Sequence, residues 1–356
     1  MKKKLRSFVI LTALSTATIH IINRGIHYFA TMHNLLQRDD TDDYEWRFGR
    51  VHYRKCGEGK PLLLLHDLAP ASSSVEWSYT ISLLAKNHTV YAIDLLGCGQ
   101  SDKPNLTYTN FLYVQMISDF IKNVVHKQVD VIATGSSAPL VAMVSTGNQE
   151  LIDKMVFVNP QDLYDLAKIP SKRSKLLYHL ISMPLLGTFL YNILFCKKQI
   201  VSNAEKLFYD QTQIDEWMIN AYHEAAHIDN MHSRYLFASI KGNYTKVNLV
   251  PFLPNITHSI FVIRGINNPL LENNARQYQK YLPSIEVIEI DETTYLPQIE
   301  KPEEFCEQVE ILLDPKCAKE RNLRIKSIAN YFSKLVFSFL ILKSGNVSHE
   351  TFPLFL

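Results

Sequence analysis

The stretch Asp94-Leu95-Leu96-Gly97-Cys98-Gly99-Gln100-Ser101-Asp102-Lys103-Pro104 decides the fold of this 356-residue chain. It follows the apolar run Thr89 to Ile93, which has the composition of a buried strand. Its two glycines permit a tight turn directly after that strand, and its serine and second aspartate can bond to loop backbone. The stretch therefore predicts a buried strand that ends in a tight, hydrogen-bonded loop.

Short apolar runs recur on both sides of this loop, and each is typical of a buried strand. Helical stretches such as Phe111 to Val125 separate them. Short apolar strands that alternate with helices predict a mostly parallel sheet covered by helices on both faces, the α/β class. The further runs are Pro61 to Leu65, Val129 to Ala133, Met155 to Val158, Ile260 to Ile263 and Ile285 to Ile290, and Tyr44 to Arg54 is typical of a hairpin.

The distribution of strand-like and helical stretches divides the chain into five segments. Residues 1–36 are predicted to be a signal or anchor helix, and residues 44–165 and 247–314 the two parts of the core. Residues 166–246 contain no strand-like run, which predicts a helical cap inserted between two strands of the sheet. Residues 315–356 form a basic and apolar tail.

The stretch from Glu76-Trp77 to Pro104 resembles the α/β-hydrolases, especially the branch of haloalkane dehalogenases, epoxide hydrolases and pheophytinase-like esterases. The resemblance covers about Tyr44 to Leu313. It implies the α/β-hydrolase fold, with a helical cap and a nucleophile on a turn between a strand and a helix. The loop itself belongs to the scaffold, so it indicates the fold and leaves the reaction open.

The resemblance implies that the nucleophile lies in Thr134-Gly135-Ser136-Ser137-Ala138-Pro139. The family pattern is G-x-S-x-G, since a strained strand-to-helix turn needs small neighbours two residues on either side. We favour Ser137, because Gly135 two residues before it lets the backbone reach that geometry. Ser136, with the small Ala138 two residues after it, is the alternative register. A serine that only caps the helix is a third interpretation.

In this family two backbone amides stabilise the oxyanion, one after the nucleophile and one in the loop after the first central strand. The corresponding residues here are Ala138 and Leu68. The family's His-Gly in that loop is His66-Asp67 in this chain. A carboxylate therefore stands beside the place where negative charge develops, which speaks against the usual chemistry unless Asp67 points outward.

The acid and base positions both depart from the family pattern. The acid belongs in a G-x-x-D-P stretch, where this chain has Asn268, and the catalytic histidine belongs where Tyr295 precedes Leu296-Pro297. An amide does not stabilise an imidazolium as a carboxylate does, and a phenol is a poor general base at neutral pH. Asp162, which follows the strand after the turn, is an alternative acid.

The cap segment His223-Glu224-Ala225-Ala226-His227 matches the H-E-x-x-H pattern of zinc proteases. No third ligand is evident, so we interpret the two as cap histidines and predict neither a metal nor another cofactor. The five cysteines occur at unrelated spacings, which favours neither a zinc site nor a disulfide framework; they are Cys56, Cys98, Cys196, Cys306 and Cys317.

The N-terminus combines a basic segment, Met1 to Arg6, with the apolar run Phe8 to Ile22. The apolar pattern resumes after Gly25, so we favour an uncleaved membrane anchor. A signal peptide cleaved after Ser15-Thr16-Ala17, which would give a secreted protein, is the alternative. The formal net charge is +2, so the charge balance does not point to a nucleic-acid partner.

Two functions remain open from the sequence. One is a membrane-associated, esterase-like serine hydrolase that acts on a small lipophilic substrate, supported by Ser137 and the scaffold. The other is a catalytically inactive homologue that binds a ligand or a partner, supported by the joint replacement of acid and base. Dehalogenase or epoxide hydrolase chemistry is disfavoured, because both need an aspartate nucleophile on the turn.

Overall fold

The computed structural model describes residues 2–314, apart from the side chains of a few N-terminal residues, and these residues contain an eight-stranded sheet. Its strands are β1 Thr41–Trp46, β2 Gly49–Cys56, β3 Lys60–Leu65, β4 His88–Ile93, β5 Val129–Thr134, β6 Ile152–Val158, β7 Ser259–Gly265 and β8 Glu286–Ile290. The order is β1-β2-β4-β3-β5-β6-β7-β8. β2 pairs antiparallel with β1 and β4, and all other pairs are parallel.

Helices connect and flank these strands, so the predicted α/β-hydrolase fold is confirmed. They are α1 Lys2–Thr31, α2 Ile81–Leu84, α3 Asn110–Phe120, α4 Ala138–Gly147, α5 Leu163–Leu166, α6 Lys172–Ser182, α7 Leu186–Leu194, α8 Lys197–Leu207, α9 Glu216–Met231, α10 Ser233–Lys241, α11 Pro269–Tyr281, α12 Pro297–Glu300 and α13 Pro302–Leu313. A π-helical turn, Ile121–Val125, continues α3.

The central strands form the core because helices cover both of their faces. Every residue of β5 is buried, as are the last four residues of β3. Such strands are apolar throughout, without the alternation of a strand that has one face in water. β3 and β5 pair in parallel with Leu65 opposite Ala133, and this register positions the loops that follow both strands.

The loop after β4 is held by the carboxylate of Asp94. Its Oδ1 accepts a hydrogen bond from the amide of Ser74 at 2.6 Å, and its Oδ2 accepts one from the amide of Gln100 at 2.7 Å. Gly99 has φ +47°, and a Cβ there would lie 2.2 Å from Asp94 Oδ2. The hydroxyl of Ser101 donates to the carbonyl of Asp94 at 2.6 Å. The tight, hydrogen-bonded loop predicted from the sequence is therefore present.

Helices α5 to α10 lie between β6 and β7 in the chain and form the cap. The C-terminal half of α1 packs against this cap, on α7 and α9. Asn23 of α1 is buried and accepts a hydrogen bond from Asn192 Nδ2 at 2.8 Å. After α1, the amides of Leu35 and Leu36 donate to the carboxylate of Glu224. Polar contacts therefore fix the end of α1 and the segment after it to the cap.

The N-terminal half of α1 is largely exposed and apolar. Within the described part of the chain, the stretch Leu5–Thr31 is the one helix long and apolar enough to cross a membrane, and a signal sequence has the same properties. The helix continues through Gly25 without a break.

Residues up to Gln308 form one compact unit. Of the second unit, which begins at Val309, the structure describes the end of α13. The predicted tail, residues 315–356, lies outside the described residues.

Candidate functional site

The turn between β5 and α4 has its left-handed residue at Gly135, with φ +52°. In this fold the nucleophile occupies the strained residue of that turn, between small residues two positions away on either side. Around Gly135 these small neighbours are Ala133 and Ser137. The turn geometry is therefore centred on Gly135, one residue before Ser136, and it corresponds to neither register predicted from the sequence.

The carboxylate of Asp67 fills the space above Gly135. A Cβ built on Gly135 would lie 2.6 Å from Asp67 Oδ1 and 2.9 Å from its Cγ. Asp67 Oδ1 also accepts a hydrogen bond from the amide of Ser136 at 2.8 Å. That amide follows the centre of the turn, which is where this fold places an oxyanion donor. Asp67 points inward and takes both the nucleophile's space and this donor.

The two predicted nucleophiles lie away from the cavity that opens above the turn. Ser137 is fully buried, and its hydroxyl donates to the carbonyl of His66 at 2.6 Å. The side chain of Ser136 is half-buried and is not among the residues that line the cavity. The predicted oxyanion residues, Leu68 and Ala138, have side chains buried in the core.

His66 has a structural role in the loop after β3. Its Nε2 accepts a hydrogen bond from the amide of Leu95 at 3.0 Å, and its Nδ1 donates to the carbonyl of Asp67 at 2.7 Å. Burial lowers the pKa of this imidazole, so the ring is neutral at pH 7. Both ring nitrogens are bound to backbone, so His66 is not available as a base.

The predicted acids serve as helix caps. Asn268 precedes α11, and its Oδ1 accepts a hydrogen bond from the amide of Leu270 at 3.0 Å. Asp162 precedes α5 and accepts from the amide of Asp165 and from Gln277 Nε2, each at 2.7 Å. Neither residue lines the cavity. Their side chains satisfy the free amides at the start of a helix.

Tyr295, which the sequence predicts at the family's histidine position, lines the cavity. Two side chains, those of Glu300 and Asn159, form hydrogen bonds with the backbone around the loop that contains Tyr295. The carboxylate of Glu300 accepts from the amides of Thr294 at 2.9 Å and Tyr209 at 2.5 Å. Asn159 Nδ2 donates to the carbonyls of Thr294 and Tyr295, both at 3.0 Å. The backbone of the loop that carries Tyr295 is therefore fixed by side chains from other segments.

The cavity above the turn has a volume of about 230 Å³ and lies between the strand ends and the cap. Its polar lining residues include Asp67, Glu76, Asn159 and Tyr295. Among the described residues that line it there is no lysine, arginine or histidine. Its wall is apolar and consists mainly of Phe195, Ile200, Ala204, Leu207, Phe208 and Leu296.

Glu76 is a buried carboxyl group beside Asp67. Its Oε2 accepts a hydrogen bond from the amide of Asp67 at 2.8 Å. Burial, and secondly the charge of Asp67, raise the pKa of Glu76 to about 8. Burial also raises the pKa of the nearby Tyr222 phenol well above its ordinary value. At pH 7 both groups are neutral, so the cavity has its negative charge at Asp67.

Sequence reasoning missed Gly135, Glu76 and Asn159. A signal for Gly135 was present, because Ala133-Thr134-Gly135-Ser136-Ser137 has a small residue two positions away on each side. Glu76 and Asn159 had no such signal, since only the tertiary fold brings them to the cavity.

The H-E-x-x-H segment takes part in packing. Glu224 holds the amides of Leu35 and Leu36, and His227 Nδ1 donates to the carbonyl of His223 at 2.7 Å. Within residues 2–314 there is no group of three His, Cys, Asp or Glu side chains that could hold a metal ion.

The contact between Asp67 and Gly135 can be tested by a double-mutant cycle. We expect Gly135→Ala to lower the free energy of unfolding by about 2–3 kcal/mol, because an L-residue is strained there and its Cβ meets Asp67. In an Asp67→Gly background the same change should cost about 1 kcal/mol. Urea denaturation measures both. Gly147→Ala is the control, because a Cβ there has open space. If Gly135→Ala lowered the free energy of unfolding equally in the wild-type and Asp67→Gly backgrounds, the contact between Asp67 and residue 135 would be contradicted.

The buried Glu76 predicts a pH-dependent stability. A carboxyl whose pKa is raised by folding stabilises the fold below its unfolded pKa, and that contribution is lost as pH rises towards its folded pKa. As pH rises from about 4.5 to 8, the wild type should therefore lose free energy of unfolding relative to Glu76→Gln, whose amide does not titrate. The loss should be a few kcal/mol, since a tenfold change in proton affinity corresponds to about 1.4 kcal/mol. Glu58→Gln, an exposed control, should parallel the wild type in urea titrations. A constant difference for Glu76→Gln would contradict its burial as a carboxylic acid.

The chain shares its fold with hydrolases of known structure. It aligns with the serine hydrolase CarC of carbazole degradation at 20% identity and a TM-score of 0.62, over 77% of this chain and 98% of CarC. A bacterial membrane phospholipase A aligns at 17% identity and a TM-score of 0.61, over 88% and 99% of the two chains.

Sequence comparison leads to the same family. The chain is 30% identical over 115 residues to a 2-hydroxy-6-oxo-6-(2'-aminophenyl)hexa-2,4-dienoic acid hydrolase of Metapseudomonas resinovorans, covering 32% of this chain and 40% of that enzyme. It is 28% identical over 110 residues to a soluble epoxide hydrolase of Corynebacterium, covering 31% and 38%. The aligned part thus spans about two fifths of these curated relatives. The model of the alpha/beta hydrolase family matches residues 62–308, and the chain belongs to that family.

Proposed function

We propose that this protein is a membrane-anchored member of the α/β-hydrolase family that binds a small, mostly apolar molecule under its cap and has no serine hydrolase activity. The observation that carries the proposal is the carboxylate of Asp67 above Gly135. Serine catalysis needs a hydroxyl at the centre of the turn and an amide free to receive the oxyanion. Here the centre is a glycine, and the amide of Ser136 is bound to Asp67.

The remaining positions of a triad support the same proposal. Asn268 and Asp162 cap helices, Tyr295 replaces the histidine, and both nitrogens of His66 bind backbone. Among the described residues, no histidine ring forms a hydrogen bond with the Ser137 hydroxyl, which donates instead to the backbone carbonyl of His66. The nucleophile, base and acid are thus replaced together.

The relatives and structural neighbours named above are enzymes, which makes a serine hydrolase the competing function. A fluorophosphonate probe reacts covalently with activated serines and separates the two. We expect no labelling of the folded wild-type chain under conditions that label an active serine hydrolase of the same fold. Labelling of the wild type that disappears in Ser136→Ala or Ser137→Ala would overturn the proposal and identify the nucleophile.

The charge of the cavity indicates which end group its ligand has. Asp67 Oδ1 is bound to the Ser136 amide, whereas Oδ2 has no hydrogen-bond donor among the described residues. An ester carbonyl or a carboxylate placed there would meet a negative charge. A hydroxyl or an ammonium group could instead donate to Oδ2, and the apolar wall would cover the rest of the ligand. The ligand is therefore an apolar molecule with a donor or cationic end.

Three ligands with the same alkyl chain test this preference: octylamine, octanol and octanoate. At pH 7 we expect octylamine to bind about tenfold or more tightly than octanoate, with octanol between them, because a charge-assisted hydrogen bond is worth about 1.5–3 kcal/mol. Asp67→Asn should remove the preference for the amine and retain octanol binding. Asp291→Asn, at an exposed aspartate, is the matched control. Equal binding of amine and carboxylate by the wild type would contradict the assigned end group.

The anchor part of the proposal rests on α1. Its N-terminal half is apolar and exposed, while Asn23, His27 and the residues after it bind the cap. Two interpretations of this helix compete: a retained anchor, which we propose, and a signal peptide whose cleavage after Ala17 would give a secreted protein. Release of the protein from membranes by alkaline washing would contradict the anchor.

A further inference from the structure

A second cavity, of about 350 Å³, lies between α1 and the cap. His20 and Arg24 line it from α1, and Asn230, His232 and Arg234 line it from the cap. No carboxylate is among the described residues that line it. This cavity shares no lining residue with the one above Gly135, whose charged group is an aspartate. The two cavities thus have opposite charge.

Arg234 is the most informative residue of this second cavity. Its relative exposure is 6%, and it forms no ion pair with any carboxylate in the described part of the chain. Its Nη2 donates to the Tyr235 hydroxyl at 2.6 Å, and its guanidinium carbon lies 4.2 Å from the centre of the Tyr235 ring. Buried arginines are almost always paired with an anion, because an isolated buried charge is costly. No carboxylate among the described residues supplies that anion.

Arg24 provides a second cation at the same cavity. Its Nη1 donates to Asn230 Oδ1 at 2.9 Å, and it has no carboxylate partner among the described residues. Asp229 lies nearby but faces His232, at 3.6 Å, and does not line the cavity. Two guanidinium groups with free N–H donors favour an anion with several oxygens, such as a phosphate group.

The position of the cavity along α1 indicates where such a phosphate would come from. The apolar, exposed part of α1 from Leu5 to Ile22 is about 27 Å long at 1.5 Å per residue. This is close to the roughly 30 Å thickness of the hydrocarbon layer of a bilayer. If that part spans the hydrocarbon, Arg24 lies just beyond its end, at the depth of the lipid headgroups, and His20 lies in its last turn.

We propose that the cavity between α1 and the cap binds a phosphate group, supplied by a membrane phospholipid whose headgroup meets Arg24 and Arg234. The phosphate pairs with the buried guanidinium of Arg234 and, through Arg24, links α1 to the cap. The binding site shares no lining residue with the cavity above Gly135, and its lipid source rests on the anchor proposed above.

The test uses the full chain, delipidated in an alkyl glucoside detergent, which contains no phosphate. Its thermal midpoint is measured with a short-chain phosphatidylglycerol, with inorganic phosphate, and with a monoacylglycerol that lacks phosphate. We expect the phospholipid to raise the midpoint by about 3 °C or more and the monoacylglycerol to leave it unchanged.

Three variants locate the effect. Arg234→Met should lose most of the phospholipid response while its delipidated midpoint equals or exceeds that of the wild type, because an unpaired buried cation has been removed. Arg24→Gln, at an exposed position, should lose part of the response without affecting folding. Arg276→Gln, an exposed arginine paired with Glu272, should respond like the wild type.

The outcomes separate the possible sources of the anion. A response to phospholipid alone supports a lipid headgroup, and an equal response to inorganic phosphate supports the same site with a free anion as its ligand. The proposal is overturned if neither compound raises the midpoint of the wild type, if the monoacylglycerol acts like the phospholipid, or if all three variants respond equally.

Discussion

The parallel pairing of β3 with β5 is the constraint on which the candidate site depends. With Leu65 opposite Ala133, the residues two positions further along, Asp67 and Gly135, come to lie side by side at the carboxyl edge of the sheet. The side chain of one then occupies the space left by the absent side chain of the other. Because the strands are buried on both faces, neither can shift to relieve this contact.

This contact reverses the electrostatic character of the site. A hydrolase of this fold offers amide donors to a developing negative charge, and so it favours substrates with a carbonyl oxygen. Here a carboxylate accepts from the Ser136 amide, and the neutral Glu76 and Tyr222 lie beside it. Such a site is suited to a ligand that donates hydrogen bonds. The scaffold of the family is retained, therefore, while the chemistry that its loops present is different.

The cap serves two regions of the molecule at once. Its apolar residues form the wall above Asp67, while its polar residues hold the segment around α1. Glu224 illustrates this second role, since both oxygens accept amides from the chain after α1. The same residue stands in the middle of a zinc-protease pattern, where it would act as a base. Its contacts here are those of a residue that fixes one segment to another.

The sequence by itself determined a mostly parallel sheet with tight turns, because both depend on local composition: apolar runs for β3 and β5, glycines for the loop held by Asp94. Its resemblance to the α/β-hydrolases implied the fold of that family. It also predicted that Asn268 and Tyr295 occupy the positions of the acid and the base. The register of the turn was ambiguous, since Gly135, Ser136 and Ser137 are all small and only backbone geometry distinguishes them. The positions of Asp67, Glu76 and Arg234 were decided by the tertiary structure alone, because burial, neighbouring charge and hydrogen-bond partners come from segments far apart in the chain.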